Sequence, residues 1–208
     1  NKQLKLKDVF EVKGPKVDKT TDLRIIIQGD IPTVKRIGEG MTAGEIIVKG
    51  SVGMHVGNNM KGGKIFVEGN AGDWVGALMK SGEISIKGNV GNYLGASYRG
   101  EWRGTSGGTI AVEGNAGNEI GLWMANGKIV VKGSVGQLAG IHMKGGVIVV
   151  RGDAAPLIGG EMTKGKIIVL GKAEVMPSFK KEGQVPNVKA GEDSGELING
   201  PFTKFGGD

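Results

Sequence analysis

The chain predicts an all-β fold, a right-handed parallel β-helix (β-solenoid) with turns of roughly 19 residues, and three observations carry that expectation. Gly50, Gly69 and Gly88 are spaced by 19, as are Gly114, Gly133, Gly152 and Gly171, so one glycine closes a short apolar stretch in every repeat. A period near twenty with one strand per repeat is the mark of a solenoid, in which each unit covers its neighbour's apolar edge and none folds alone. Inward positions advance in steps of 2, 4, 4 and 4 (Ile46, Val48, Val52, Val56, Met60), which argues against a left-handed hexapeptide helix with an aliphatic residue at every sixth position. The preference of parallel crossovers then makes the coil right-handed.

In chain order, residues 1–24 read as an N-terminal cap segment, 25–171 as the β-helix and 172–208 as a C-terminal capping tail. Because the chain opens on Asn1 rather than Met and stops at Asp208, it reads as a shortened or excised piece. The strands are Glu45 to Lys49, Lys64 to Glu68, Glu83 to Lys87, Thr109 to Glu113, Lys128 to Lys132, Val147 to Arg151 and Lys166 to Leu170. Alternation at period two turns Ile46, Ile65, Ile84, Ile110, Ile129, Ile148 and Ile167 inward, with a second column from Val48 to Val169. Parallel stacking in register sets Lys49, Glu68, Lys87, Glu113 and Lys132 on successive rungs, so opposite charges become neighbours about 4.8 Å apart. The middle column of Ile47, Phe66, Ser85, Ala111, Val130, Val149 and Ile168 points outward yet is mostly apolar, and such a strip requires a cover: the chain's own ends or another subunit.

Each marker glycine is followed by Asp30, Ser51, Asn70, Asn89, Asn115, Ser134 or Asp153, residue types that bond locally to backbone and suit a corner. A GxxxG spacing follows (Gly53 and Gly57 is the first), here a corner rather than a membrane-helix contact. Next comes GxxMxxG, which puts six of the eight methionines in one column as flexible core filler. Gly160 to Lys166 resembles a phosphate-binding loop, but Ile167 stands where a hydroxyl should hold Mg²⁺, and the segment is the same corner seen in every repeat. His55 and His142 fall in different columns, which argues against a joint metal or acid–base role.

Composition narrows the function classes. Among 208 residues there are 41 glycines, only six prolines and no cysteine, so disulfides, thiolate-held metal centres and a cysteine nucleophile are excluded within the sequence. No long apolar run or signal-peptide pattern is present, and the expectation is a cytoplasmic chain with no membrane insertion. The net charge of +6 comes from basic residues interleaved with acids, with no dense basic block, so nucleic acid is not an expected partner. Clustered carboxylates in one groove, as a polysaccharide-active β-helix enzyme needs, are missing from this alternating pattern.

One repeat breaks the period. From Gly88 to Gly114 the step is 26, and this repeat lacks the column methionine while gathering Tyr98, Arg99, Trp102 and Arg103. These residue types are enriched at binding hot spots, and insertions in solenoids project as loops from one face. The four residues are therefore the candidate partner interface. The packing alternative places Tyr98 in the vacant methionine position and lays Trp102 flat on the body.

The run Tyr98-Arg99-Gly100-Glu101-Trp102-Arg103-Gly104 with Gly107-Gly108, set in repeated GxxGxxxG turns, resembles the C-subunit of formylmethanofuran dehydrogenase, and more distantly the C-terminal domain of the glutamate synthase large subunit. The resemblance covers roughly residues 25–171 and weakly Phe202 to Asp208. It implies a non-catalytic structural subunit that scaffolds the catalytic subunits of a complex reducing CO2 to formylmethanofuran. Its partners are the other formylmethanofuran dehydrogenase subunits, which carry a tungsten or molybdenum pterin, iron–sulfur clusters and zinc, with no cofactor in this chain. A formyltransferase/hydrolase complex shares the motifs, and a glutamate synthase spacer is a further alternative.

Overall fold

The structure, a computed structural model, describes residues 8, 10, 11, 13–190 and 196–207. Its strands are β1 (Arg24–Gln28), β2 (Glu45–Lys49), β3 (Lys61–Val67), β4 (Ser81–Ile86), β5 (Ser106–Val112), β6 (Asn126–Val131), β7 (Lys144–Val150), β8 (Ala154–Ile158), β9 (Lys164–Val169), β10 (Ala173–Val175), β11 (Lys180–Lys189) and β12 (Leu197–Gly206). An eight-stranded parallel sheet runs in the order β1-β2-β3-β4-β5-β6-β7-β9, one strand per solenoid turn. The pairing is in the register that the apolar columns demand: Ile46 opposite Ile65, Ile65 opposite Ile84, Ile84 opposite Ile110, and Ile110 opposite Ile129.

The two inward columns and the methionine column make one core along the body. Ile84, Ile110, Ile129 and Ile148 are buried to 1% exposure or less, and so are Met60, Met79, Met124 and Met143. Gly76 shows why glycine recurs beside them: at φ +65° it holds a left-handed backbone, and a Cβ there would collide with the Ile110 side chain. The charge columns also behave as stacked rungs, with Arg24 on Glu45, Lys64 on Glu83 at 3.0 Å and Lys132 on Glu113 at 2.7 Å. Exposed pairs of this kind contribute little stability but help to fix register.

The corner residues do more than turn the chain. Asp30, Ser51, Asn70, Asn89, Asn115, Ser134 and Asp153 each accept a hydrogen bond from the backbone N–H of the equivalent residue one turn later. A second ladder, Asp73 to Asn92 to Asn118 to Gln137, works the same way. Side-chain oxygens thus satisfy corner N–H groups that no strand would pair, and they tie each rung to the next.

The apolar outward column is covered over its distal half by the chain itself. β11 and β12 form an antiparallel hairpin. It joins Ala190 to Val147, Val149 and Ile168 in a second buried cluster, with Val130, Val188, Ile198 and Phe202 packed against it. Glu196, immediately before β12, pairs with Lys128 and Arg151, and these cations hold its carboxyl below the usual range. Toward the N-terminus the same column stays more open, with Ile26 half exposed.

Candidate functional site

The hydrogen bonds locate the insertion by residue. Ala125 and Asn126 N–H groups bond to the Thr105 carbonyl as Lys80 and Ser81 bond to that of Met60, so Thr105 holds the methionine position of its turn. Its buried hydroxyl donates toward the carbonyls of Gly95 at 2.9 Å and Gly76 at 3.1 Å. Tyr98 is therefore outside that column, and the extra residues are Tyr98 to Gly104. They form a loop held at its ends by Ser97 N–H to the Leu122 carbonyl and Gly104 N–H to that of Trp123.

Two aromatic ladders flank this loop. His55, Trp74 and Tyr93 occupy one corner position in successive turns, each with φ of 63° to 64°. Trp123 and His142 occupy a second, with φ of 56° and 55°. Left-handed backbone is unfavourable for bulky side chains, by about 1 kcal/mol or more per residue. The corner itself imposes it, since Arg36, Glu119 and Leu138 share the first position and Asn59, Leu78 and Glu161 the second, and the aromatic members stack between rungs: Trp74 on Tyr93 at 4.2 Å between centroids, and Trp123 on His142 at 4.4 Å. The signal in the sequence is ring residues recurring at 19: His55, Trp74 and Tyr93 inside GxxxG, and Trp123 and His142 inside GxxMxxG.

Tyr98 ties the loop to the first ladder. Its ring lies 4.7 Å from Trp74, and its hydroxyl meets His55 Nδ1 at 2.7 Å and Asn58 Oδ1 at 3.1 Å. Asn58 Nδ2 donates to Glu39 at 2.6 Å, and Glu39 is paired with Arg36. With Asn58 oriented in this way, Tyr98 donates to Asn58 and accepts from His55, so the proton of neutral His55 sits on Nδ1. Burial pushes the Tyr98 hydroxyl up from its ordinary pKa. His55 is lowered from 6.5, first by burial and then by the Arg36 and Lys35 cations.

A histidine that takes up its proton less readily folded than unfolded stabilises the fold fully above the unfolded pKa and loses that contribution as pH falls through the folded value. The expected result is a melting temperature that drops as pH is lowered below about 6.5, with His55→Gln flattening the upper part of that fall. Melts across this range check it, and an unchanged slope in the variant refutes the assignment.

At the loop's other end Trp102 stands edge-on to Trp123, with centroids 5.3 Å apart and planes at 82°. Trp102 keeps 68% of its surface exposed, too much for a side chain lying flat on the body. Lys144 Nζ sits 4.5 Å above the Trp123 ring, and His142 Nδ1 is 3.2 Å from Glu161. Arg99, Glu101 and Arg103 are exposed. The four candidate residues are thus on one loop with divided positions: Tyr98 is half-buried with its hydroxyl engaged by the body, while Arg99, Trp102 and Arg103 face solvent. Beneath the loop lies a cleft of about 190 Å³, walled by Trp74, Tyr93, Trp102 and Trp123.

No protein-family model matches the chain. It is 67% identical to the C-subunit of the tungsten-containing formylmethanofuran dehydrogenase 2 of Methanococcus maripaludis, over all of this chain and 77% of that protein. The chain belongs to the formylmethanofuran dehydrogenase C-subunit family. A second relative, the C-subunit of the corresponding tungsten enzyme of Methanothermobacter thermautotrophicus, is 55% identical over 56 residues, a match spanning 27% of this chain and only 21% of that protein. Among solved structures, the formyltransferase/hydrolase complex of Methylorubrum extorquens with methylofuran contains a chain that superposes with a TM-score of 0.81 at 32% identity. That match takes in 88% of this chain and 66% of the other, just under two thirds.

Thiolate-held iron–sulfur clusters find no cysteine ligand in the sequence of this C-subunit family member. Among the described residues no three His, Asp or Glu side chains gather in a metal-holding group, and His55 and His142 belong to separate ladders. Nor is any helix among the described residues long and apolar enough to cross a membrane.

Proposed function

We propose that this chain is the non-catalytic structural subunit of a formylmethanofuran dehydrogenase, a cytoplasmic complex of one-carbon metabolism and methanogenesis that reduces CO2 and traps it as formylmethanofuran. Identity of 67% over the whole chain to a subunit of that name carries the reading. The pterin metal, iron–sulfur clusters and zinc then reside on partner subunits, consistent with a chain that lacks thiolates. The solenoid acts as a rigid rod, because its two aliphatic columns and the corner ladder from Asp30 to Lys172 run from rung to rung, and the Tyr98 to Gly104 loop is its contact with a catalytic subunit. Membership of a formyltransferase/hydrolase complex is the second reading, favoured by the Methylorubrum extorquens match but at 32% identity.

Purification from the native organism tests the first reading. Co-elution with a tungsten- or molybdenum-containing partner and CO2-reducing activity is the expected result, and co-elution with formyltransferase and hydrolase activity alone would favour the second. Elution as a metal-free monomer from active cells would overturn both. The isolated chain is expected to bind no metal, and stoichiometric tungsten, molybdenum, zinc or iron on elemental analysis would refute its non-catalytic role.

A further inference from the structure

We propose that the cleft under the inserted loop receives one arginine side chain from the partner protein, an inference that rests on the loop being the partner contact. Size decides the class of occupant first. About 190 Å³ falls below the roughly 300–1,000 Å³ of pockets that hold whole small molecules, and it suits a single large side chain. Such a recess beside an exposed aromatic is the usual setting of an interface anchor.

The lining then selects the chemistry. The walls are aromatic, and Glu101 and Glu119 also border the space. Neither carboxylate forms an ion pair among the described residues. Arg99 is the one cation among the lining residues against these two carboxylates, and Lys144 lies over the Trp123 ring. Ser97 completes the lining: it is 0% exposed, and its Oγ has no hydrogen-bond partner. A buried hydroxyl left unpaired is costly, so it calls for a polar group that arrives on binding.

A guanidinium meets all three demands. Its flat face stacks on indole or phenol rings, its forked N–H groups bond carboxylates two at a time, and a remaining N–H can donate to a hydroxyl. An aromatic occupant would fill the same volume but leave Ser97 and both carboxylates unserved. A lysine offers a point charge, without the flat face that the walls invite.

Partner retention by the tagged full-length chain, expressed in its native host, tests this. Glu101→Gln combined with Glu119→Gln removes the charge and keeps the shape. Retention is expected to fall about tenfold and to lose most of its salt dependence, while the melting temperature of the chain stays unchanged. Arginine amide should displace the partner from the wild-type chain, and the neutral citrulline amide should not. Ser97→Ala should weaken retention by a smaller factor. If the double glutamine variant retains its partner like wild type while Trp102→Ala with Arg103→Ala does not, the occupant is not cationic and the inference fails with the loop contact intact. If both variants retain the partner fully, the loop contact fails as well. Equal displacement by the two amides would also overturn the arginine.

Discussion

Ile110→Asp should leave the chain unable to hold its fold, with a loss of more than about 5 kcal/mol. Ile110 is 0% exposed, sits between Ile84 and Ile129 in the inward column, and has only apolar neighbours there. Losing a buried isoleucine costs about 2–5 kcal/mol, and a carboxylate with no partner adds several more. The sum reaches the whole stability of an ordinary domain, about 5–15 kcal/mol. The geometry allows no escape, since a solenoid turn depends on its two neighbours and damage at one rung unpairs the next. Ile129→Asp should behave alike. Ser85→Asp is the matched comparison: it lies on the half-exposed outward column, where the charge reaches water, and about 1 kcal/mol or less is expected. Circular-dichroism melts of the variants decide the matter. Equal losses at Ile110 and Ser85 would mean that the strand faces have been misassigned.

Changing Trp102 and Arg103 together to Ala should weaken assembly by about 30-fold or more while leaving the chain folded. The loop is extra to the stacked rungs, and Trp102 is mostly exposed and meets Trp123 edge-on, so its removal uncovers little core. A desolvated aromatic or arginine anchor typically contributes about 2 kcal/mol or more, which is the 30-fold. Tyr98→Ala should differ in kind. Its ring and hydroxyl hold the loop to Trp74, His55 and Asn58, so its removal frees the loop before it weakens any partner contact. Paired melts and pull-downs separate these effects. A melting loss in the Trp102 and Arg103 variant without selective loss of partner would make the loop part of the core, and full assembly would move the interface elsewhere.

The sequence by itself determined what repeats. A spacing of 19 places every residue beside its equivalents in the neighbouring turns, so the inward isoleucines, the methionine filler, the alternating charges and the Asn and Asp corners could all be read as columns. Most of their partners lie 19 residues along the chain, and such a period is visible without coordinates. The composition of the insertion likewise marked Tyr98, Arg99, Trp102 and Arg103 as a candidate partner interface, and the last three are exposed.

Only the tertiary structure decided what breaks the period or leaves it. The frame of the insertion depended on which residue resumes the backbone ladder, and that is Thr105 rather than Tyr98. Tyr98 finds His55, 43 residues away, through a loop whose path no repeat dictates. The strands β11 and β12 have no counterpart in the repeats, so nothing in their spacing told that Val188, Ile198 and Phe202 would cover Val149 and Ile168. The cleft arises last of all, because its walls come from two ladders and its roof from the loop, and a cavity is a property of their joint placement. Local periodicity is a one-dimensional signal that survives in sequence; contacts between a unique segment and a repeated one are set by packing, and packing is decided only when the chain is folded.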